Sequence, residues 1–161
     1  MTNLGFTRVF LFYDNINFMD HVAIMKKDWG LLDKILSGKK KIESRWYKLK
    51  CKPWNSIKKG DMIYFKNSSA PIIAKAKVKK VIQFSNLNPK KVKEILDKYA
   101  KADGIDKNQI NKFYKLFKDK KYCLLIFLEN VKSIKTFNID KAGFGAMAAW
   151  ITVSDIDVIK K

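Results

Sequence analysis

Hydrophobic and polar positions change period many times along the chain, and each change marks a short element. Residues 21–25 form an apolar run that reads as a strand, and Asp28 stands where it can cap a helix with apolar positions Leu31, Leu32, Ile35 and Leu36. Gly38 ends that helix as its C′ residue. Residues 41–47 alternate with period two, so Ile42, Ser44 and Trp46 share one face of a second strand and Lys41, Glu43 and Arg45 the other. A basic loop with Pro53 covers 48–60, and the Lys59-Gly60-Asp61 turn feeds a strand at 62–65. Polar residues and Pro71 interrupt it at 67–71. Strand character resumes over 72–84, where Ala74, Ala76 and Val78 alternate with Lys75, Lys77 and Lys79.

The second half opens with a helix. Asn88 and Pro89 suit its N-cap and first position, and Val92, Ile95, Leu96 and Tyr99 recur at helical spacing. A turn over 101–107 containing Gly104 separates it from another amphipathic helix through Ile110, Phe113, Tyr114 and Phe117. Residues 122–128 are continuously apolar, which predicts a central strand buried on both faces; it resumes over 131–134 after a bend at Glu129-Asn130. A Gly143-Phe144-Gly145 turn, a segment over 146–153 and a short strand or terminal turn over 155–159 complete the chain. Strands and helices of these lengths in this order predict an α+β domain.

The chain has 161 residues, a length that suits one domain. Residues 1–18 differ from the rest, being aromatic and nearly lysine-free. They read as an N-terminal extension, either upstream of a start at Met19 or supplying an edge strand over 9–13, which leaves 19–161 as the domain. Hydrophobic residues make up 47% and aromatic residues 13%, enough core material to exclude disorder for most of the chain. The formal charge of +19 exceeds what solubility requires and points to an anionic partner. Compositional bias towards lysine is the competing explanation, because only Arg8 and Arg45 are arginines.

Two cysteines, Cys51 and Cys123, make neither a disulfide framework nor a CxxC site, and His21 is the single histidine. A histidine-rich metal site and a Ser-His-Asp triad are thereby disfavoured, and any chemistry falls to carboxylates, lysines or hydroxyls. No metal or organic cofactor is expected. The chain has no run of about 18 uncharged apolar residues and no secretory leader pattern, which predicts a soluble cytoplasmic protein without a membrane partner.

At Gly38-Lys39-Lys40-Lys41-Ile42-Glu43-Ser44-Arg45 every specified position of the pattern G-x-K-x-x-E-x-R is matched, and in this the chain resembles the ASCH domain family of the PUA-like superfamily. The likeness spans roughly residues 20–161. It implies a small, mixed, partly closed PUA-like β-barrel with flanking helices and a cleft beside the motif, and a role in binding RNA. Some small bacterial relatives resemble amidohydrolases of acylated cytidine nucleosides that use the motif lysine with a hydroxyl and a carboxylate. Here Glu43 stands where those enzymes carry threonine, so their nucleophile does not transfer.

Glu43 and Arg45 lie two apart on one strand face, about 6.5–7 Å along the backbone, and can act on one ligand. A guanidinium fork suits phosphate or a base edge, a carboxylate accepts from an exocyclic amine, and Lys40 supplies a point charge. An exposed Glu43 pair with Lys40 or Arg45, worth about 0–1 kcal/mol, is the plainer alternative. RNA readers add aromatic platforms to cationic grooves. Tyr47 shares the Glu43 face, and Trp54 sits in the basic loop; Trp46 follows Ile42 into the core. Lys75 and Lys77, with Lys90, Lys91 and Lys93 on the next helix, can track phosphates. The expected binding set is thus Gly38, Lys40, Glu43, Arg45, Tyr47, Trp54, Lys75 and Lys77, with RNA or a nucleotide as partner. A nucleic-acid-processing enzyme, in which Lys40 and Glu43 are catalytic, is the first alternative, and a basic assembly module the second.

Overall fold

A computed structural model describes residues 17–161. The segment 1–16, including the edge strand considered over 9–13, lies outside the described residues. Six strands form one sheet: β1 (Asp20–Met25), β2 (Ile42–Tyr47), β3 (Met62–Asn67), β4 (Ile72–Phe84), β5 (Tyr122–Phe137) and β6 (Trp150–Val153). Their order is β2-β5-β4-β3-β1-β6; β1 runs parallel to β3 and every other pairing is antiparallel. Three helices flank the sheet: α1 (Leu31–Leu36), α2 (Pro89–Tyr99) and α3 (Ile110–Phe117).

The sheet closes on itself. Strands lie about 4.8 Å apart, so in a flat six-stranded sheet the two edges would be about 24 Å apart. Yet the Arg45 guanidinium on edge strand β2 donates to Ala149 O, one residue before edge strand β6, at 3.2 Å, and to Ile24 O on β1 at 3.5 Å. Only a curled, partly closed barrel brings those edges within one side chain of each other.

Its interior holds Ala23, Ile63, Phe65, Ala74, Ala76, Val78, Leu124 and Ile126, with Leu32 and Ile35 of α1 packed in. The lysine alternation on β4 follows directly, since Ala74, Ala76 and Val78 are fully buried. A second core lies between the β2–β5 face and helices α2 and α3, and contains Ile42, Trp46, Val92, Leu96, Phe113 and Leu125. The continuously apolar run of β5 is thereby explained: Leu124 and Ile126 face the first core, Cys123 and Leu125 the second.

Local chemistry sets most boundaries. The Asn88 side chain accepts from Lys91 N at 2.8 Å and Pro89 occupies the first turn of α2. One expectation needs correction. Asp28 does not cap α1; it lies in a 3₁₀ turn, Lys27–Trp29, and Gly30 at φ 63° precedes the helix without a side-chain cap. At the bend expected over 129–130, β5 runs on through Asn130 at φ 52° with a shift of register against β4, a bulge within the strand. No helix among the described residues is long and apolar enough to cross a membrane.

Candidate functional site

A cavity of about 330 Å³ lies at the seam between β2 and β1, roofed by α3 and the turn after α2. Positioning starts at the end of α1. Ser37 is the C-cap and Gly38 follows at φ 81°, a left-handed turn that costs glycine little. Gly38 itself is exposed and does not line the cavity. It reverses the chain so that Lys40 N donates to Lys34 O at 3.0 Å and the Lys40 side chain enters the interior, where the residue is 2% exposed.

That ammonium is held by the turn over 101–104. Lys40 Nζ donates to Asp103 O at 2.8 Å and to the Asp103 carboxylate, and lies 3.7 Å from Glu43 Oε2. Ser44 Oγ donates to the other Asp103 oxygen at 2.5 Å while accepting from Trp46 Nε1 at 3.2 Å. Asp103 is 3% exposed, and burial pushes its carboxyl above the ordinary value against the pull of the Lys40 charge. Gly104, at φ 77°, passes so close that an added Cβ would lie 3.0 Å from Lys40 Cβ.

Glu43 is 3% exposed, with Oε1 3.2 Å from Arg45 Nε. The plainer alternative of an exposed pair therefore does not describe it. Glu43 Oε2 is buried and makes no hydrogen bond. Arg45 spans the seam, with its terminal nitrogens on the carbonyls of Ala149 and Ile24 and its guanidinium carbon 5.1 Å from the Trp150 ring centre. Lys40 and Arg45 thus meet the two carboxylates Glu43 and Asp103 within the cavity, whose lining also carries Lys26 and Lys120.

The walls are apolar and aromatic. Trp29 stands edge-on to Phe113, and Trp46 stacks flat on Phe117 at 4.8 Å and 7°. Leu116 contributes from α3, and Lys26 and Lys120 line the mouth. Trp46 is in the core as its parity implies, and also forms part of the wall. Tyr47 lines the cavity, donates to Lys52 O at 3.3 Å, and has its ionisation suppressed by burial.

Of the sequence-derived candidates, the structure brings Lys40, Glu43, Arg45 and Tyr47 to this cavity. Trp54 is elsewhere, packed edge-on against Tyr122 at 5.2 Å. Lys75 and Lys77 stand on β4 outside the cavity, opposite Lys132 and Glu129 of β5. Ser44, expected to project away from Glu43, joins the same network because Asp103 reaches around the edge of β2. Alternation places the two side chains on opposite faces only; at an edge strand, a group from a neighbouring turn can touch both. Sequence reasoning missed Asp103, whose place before Gly104 reads as ordinary turn chemistry, and missed the wall residues Trp29 and Leu116.

A separate buried polar cluster ties β1, β3 and β6. Trp150 Nε1 donates to His21 Nδ1 at 3.1 Å, so Nε2 carries the proton and donates to Asp61 Oδ2 at 2.9 Å. Burial holds His21 below its ordinary pKa. For Asp61 burial acts upwards, but hydrogen bonds from Met19 N, His21 and Lys58 N outweigh it and hold the carboxyl low. Among the described residues, no group of three His, Cys, Asp or Glu side chains is placed to hold a metal ion.

No protein-family model matches the sequence, and no curated protein is significantly similar to it. Solved structures do match. The ASCH protein of Zymomonas mobilis superposes with a TM-score of 0.58 at 16% identity, covering 83% of this chain and 87% of that one. A tyrosine-to-phenylalanine variant of the same protein gives 0.60 at 15% identity, over 83% and 89% of the two chains. This six-stranded, partly closed barrel flanked by helices is the fold of these ASCH proteins.

Proposed function

We propose that this protein binds a nucleobase, carried by a nucleotide or by an unpaired RNA residue, in the seam cavity. The observation that carries the reading is Glu43 Oε2: a buried acceptor without a hydrogen bond, among aromatic walls. An unpaired buried polar atom is costly, and a ligand N–H removes that cost. Lys40 and Arg45 are already matched by Asp103 and Glu43, so the inner part of the cavity favours a neutral ligand body over a phosphate. Arg45, the expected phosphate fork, has its terminal nitrogens on backbone carbonyls, so its part is to hold the seam and to orient Glu43. A planar heteroaromatic ring with an exocyclic amine or ring N–H meets these requirements, and a volume near 330 Å³ is within the range of small-ligand sites. Lys26 and Lys120 at the mouth suit the attached phosphate.

Titration with the four ribonucleoside 5′-monophosphates, followed by calorimetry, tests this. Glu43→Met keeps approximate volume but removes the acceptor. Hydrogen bonds to charged groups contribute about 1.5–3 kcal/mol, so affinity for the preferred base is expected to fall roughly 10- to 150-fold. Unchanged affinity, or no binding of any nucleotide by the wild-type protein, refutes the reading.

Hydrolysis is the second reading, because a lysine, a hydroxyl and a carboxylate do meet in Lys40, Ser44 and Asp103. Their hydrogen bonds argue for a clamp instead. The Lys40 ammonium is held among Asp103 O, the Asp103 carboxylate and Glu43, and Ser44 Oγ both donates and accepts within the network. A general base needs a free lone pair, and a nucleophile needs a base to receive its proton. Turnover of labelled RNA or acylated cytidine, abolished by Lys40→Ala, would favour the enzyme.

A further inference from the structure

A second concavity, a groove of about 780 Å³, shares no lining residue with the seam cavity. Lys58 and Lys59 border it from the basic loop, and Lys79 and Lys80 from β4; all four are exposed. Its other lining residues are Ile57, Val81 and an amide pair, so no carboxylate opposes the lysines there. The amide pair joins the two banks rigidly: Gln83 Oε1 accepts from Asn55 N at 2.8 Å, and Gln83 Nε2 donates to Asn55 Oδ1 at 2.7 Å. Lys58 is anchored by Asp61 at 3.3 Å, which leaves Lys59, Lys79 and Lys80 without a carboxylate partner among the described residues.

Register relates this groove to the seam cavity. Ile126 of β5 pairs with Glu43 on one side and with Val81 on the other. Two strand spacings, about 9.6 Å, therefore separate the backbone of Glu43 from that of Val81 at the groove. A ligand larger than one nucleotide can reach both.

We infer that the lysine groove is a docking track for the sugar-phosphate backbone of a single-stranded polynucleotide, one of whose bases enters the seam cavity. The inference rests on the nucleobase reading for its single-strandedness, since a base paired within a duplex cannot enter a cavity. Charge complementarity supplies the rest. Lys59, Lys79 and Lys80 can neutralise phosphates and so release the cations condensed on the strand, and the paired amides offer further polar contacts to sugar or phosphate oxygens.

The probe is a 12-nucleotide single-stranded RNA of mixed sequence, with binding followed by fluorescence anisotropy across a salt series. The variant Lys59→Ala/Lys79→Ala/Lys80→Ala removes three ammonium groups at exposed positions. Each lost phosphate contact lowers the salt slope by about 0.7, so the slope should fall by about 2 and the affinity at 0.15 M salt by roughly 50-fold. A charge-matched control, Lys98→Ala/Lys112→Ala/Lys115→Ala on exposed positions of α2 and α3, should change the affinity less than about 5-fold through general attraction. Nucleoside monophosphate affinity should stay unchanged in both triple variants. Equal loss in the two triples overturns the inference, as does competition by duplex DNA or by polyglutamate as effective as by the unlabelled RNA. If Glu43→Met abolishes nucleotide binding while the groove triple leaves RNA binding intact, the groove fails and the base pocket stands. If RNA binding depends on the groove but nucleotides never bind, the base pocket fails and with it the single-stranded specificity inferred here.

Discussion

Asp103 offers the sharpest test of how the site is held together, because one carboxylate links the Lys40 ammonium and the Ser44 hydroxyl in a place water hardly reaches. In Asp103→Ala the Lys40 charge keeps one carbonyl at 2.8 Å and Glu43 at 3.7 Å, and loses its closest counter-ion. Removing one member of a buried ion pair costs about 3–5 kcal/mol, because the remaining charge stays desolvated. That is at least a fifth of the ~5–15 kcal/mol by which a typical domain is stable. Replacing both members by apolar residues, Lys40→Met with Asp103→Ala, removes the orphaned charge, while Glu43 retains Arg45 at 3.2 Å. The double variant is therefore expected to be more stable than either single one, with a coupling energy above about 2 kcal/mol. Urea unfolding followed by circular dichroism and tryptophan fluorescence measures all four corners of the cycle. A loss below about 1 kcal/mol for Asp103→Ala, with additive single effects, would show that the pair is neither buried nor coupled and would refute the reasoning.

Two further outcomes follow from the same physics. His21 has its pKa lowered by burial, so the unfolded chain takes up a proton first as pH falls; the stability this group contributes is complete above about pH 6.5 and is lost as pH falls towards the folded-state value. Asp61, also lowered, adds loss of the same sign at more acid pH, and His21→Asn should flatten the decline that begins below about pH 6.5 in urea unfolding; an unchanged slope there would refute the assignment. Gly104→Ala places a side chain at φ 77° and against Lys40 Cβ, so a destabilisation of about 1–2 kcal/mol is expected together with weaker nucleotide binding, and wild-type behaviour in both assays would show that the turn does not set the lysine.

Periodicity alone determined where the strands and helices lie. Alternating Ala74, Ala76 and Val78 against lysines, the cap at Asn88 with Pro89, and the two-sided apolar run over 122–128 each have a local cause, since side-chain direction follows backbone period. The left-handed turn at Gly38 that delivers Lys40 inward is equally local. Tertiary structure alone decided what the motif touches. Curling of the sheet set Arg45 across the seam against Ala149 and Ile24, more than a hundred residues away in one case, and so turned its terminal nitrogens to backbone carbonyls. The turn after α2 brought Asp103 to Lys40 across 63 positions of chain, making a buried network from residues that read locally as a turn carboxylate and a lysine offered to a ligand. Trp54, well placed by composition, was taken by Tyr122. Local patterns are written in neighbouring residues and can be read from them; hydrogen-bond partners and burial belong to whatever the closed barrel brings together, and no stretch of sequence carries that information by itself.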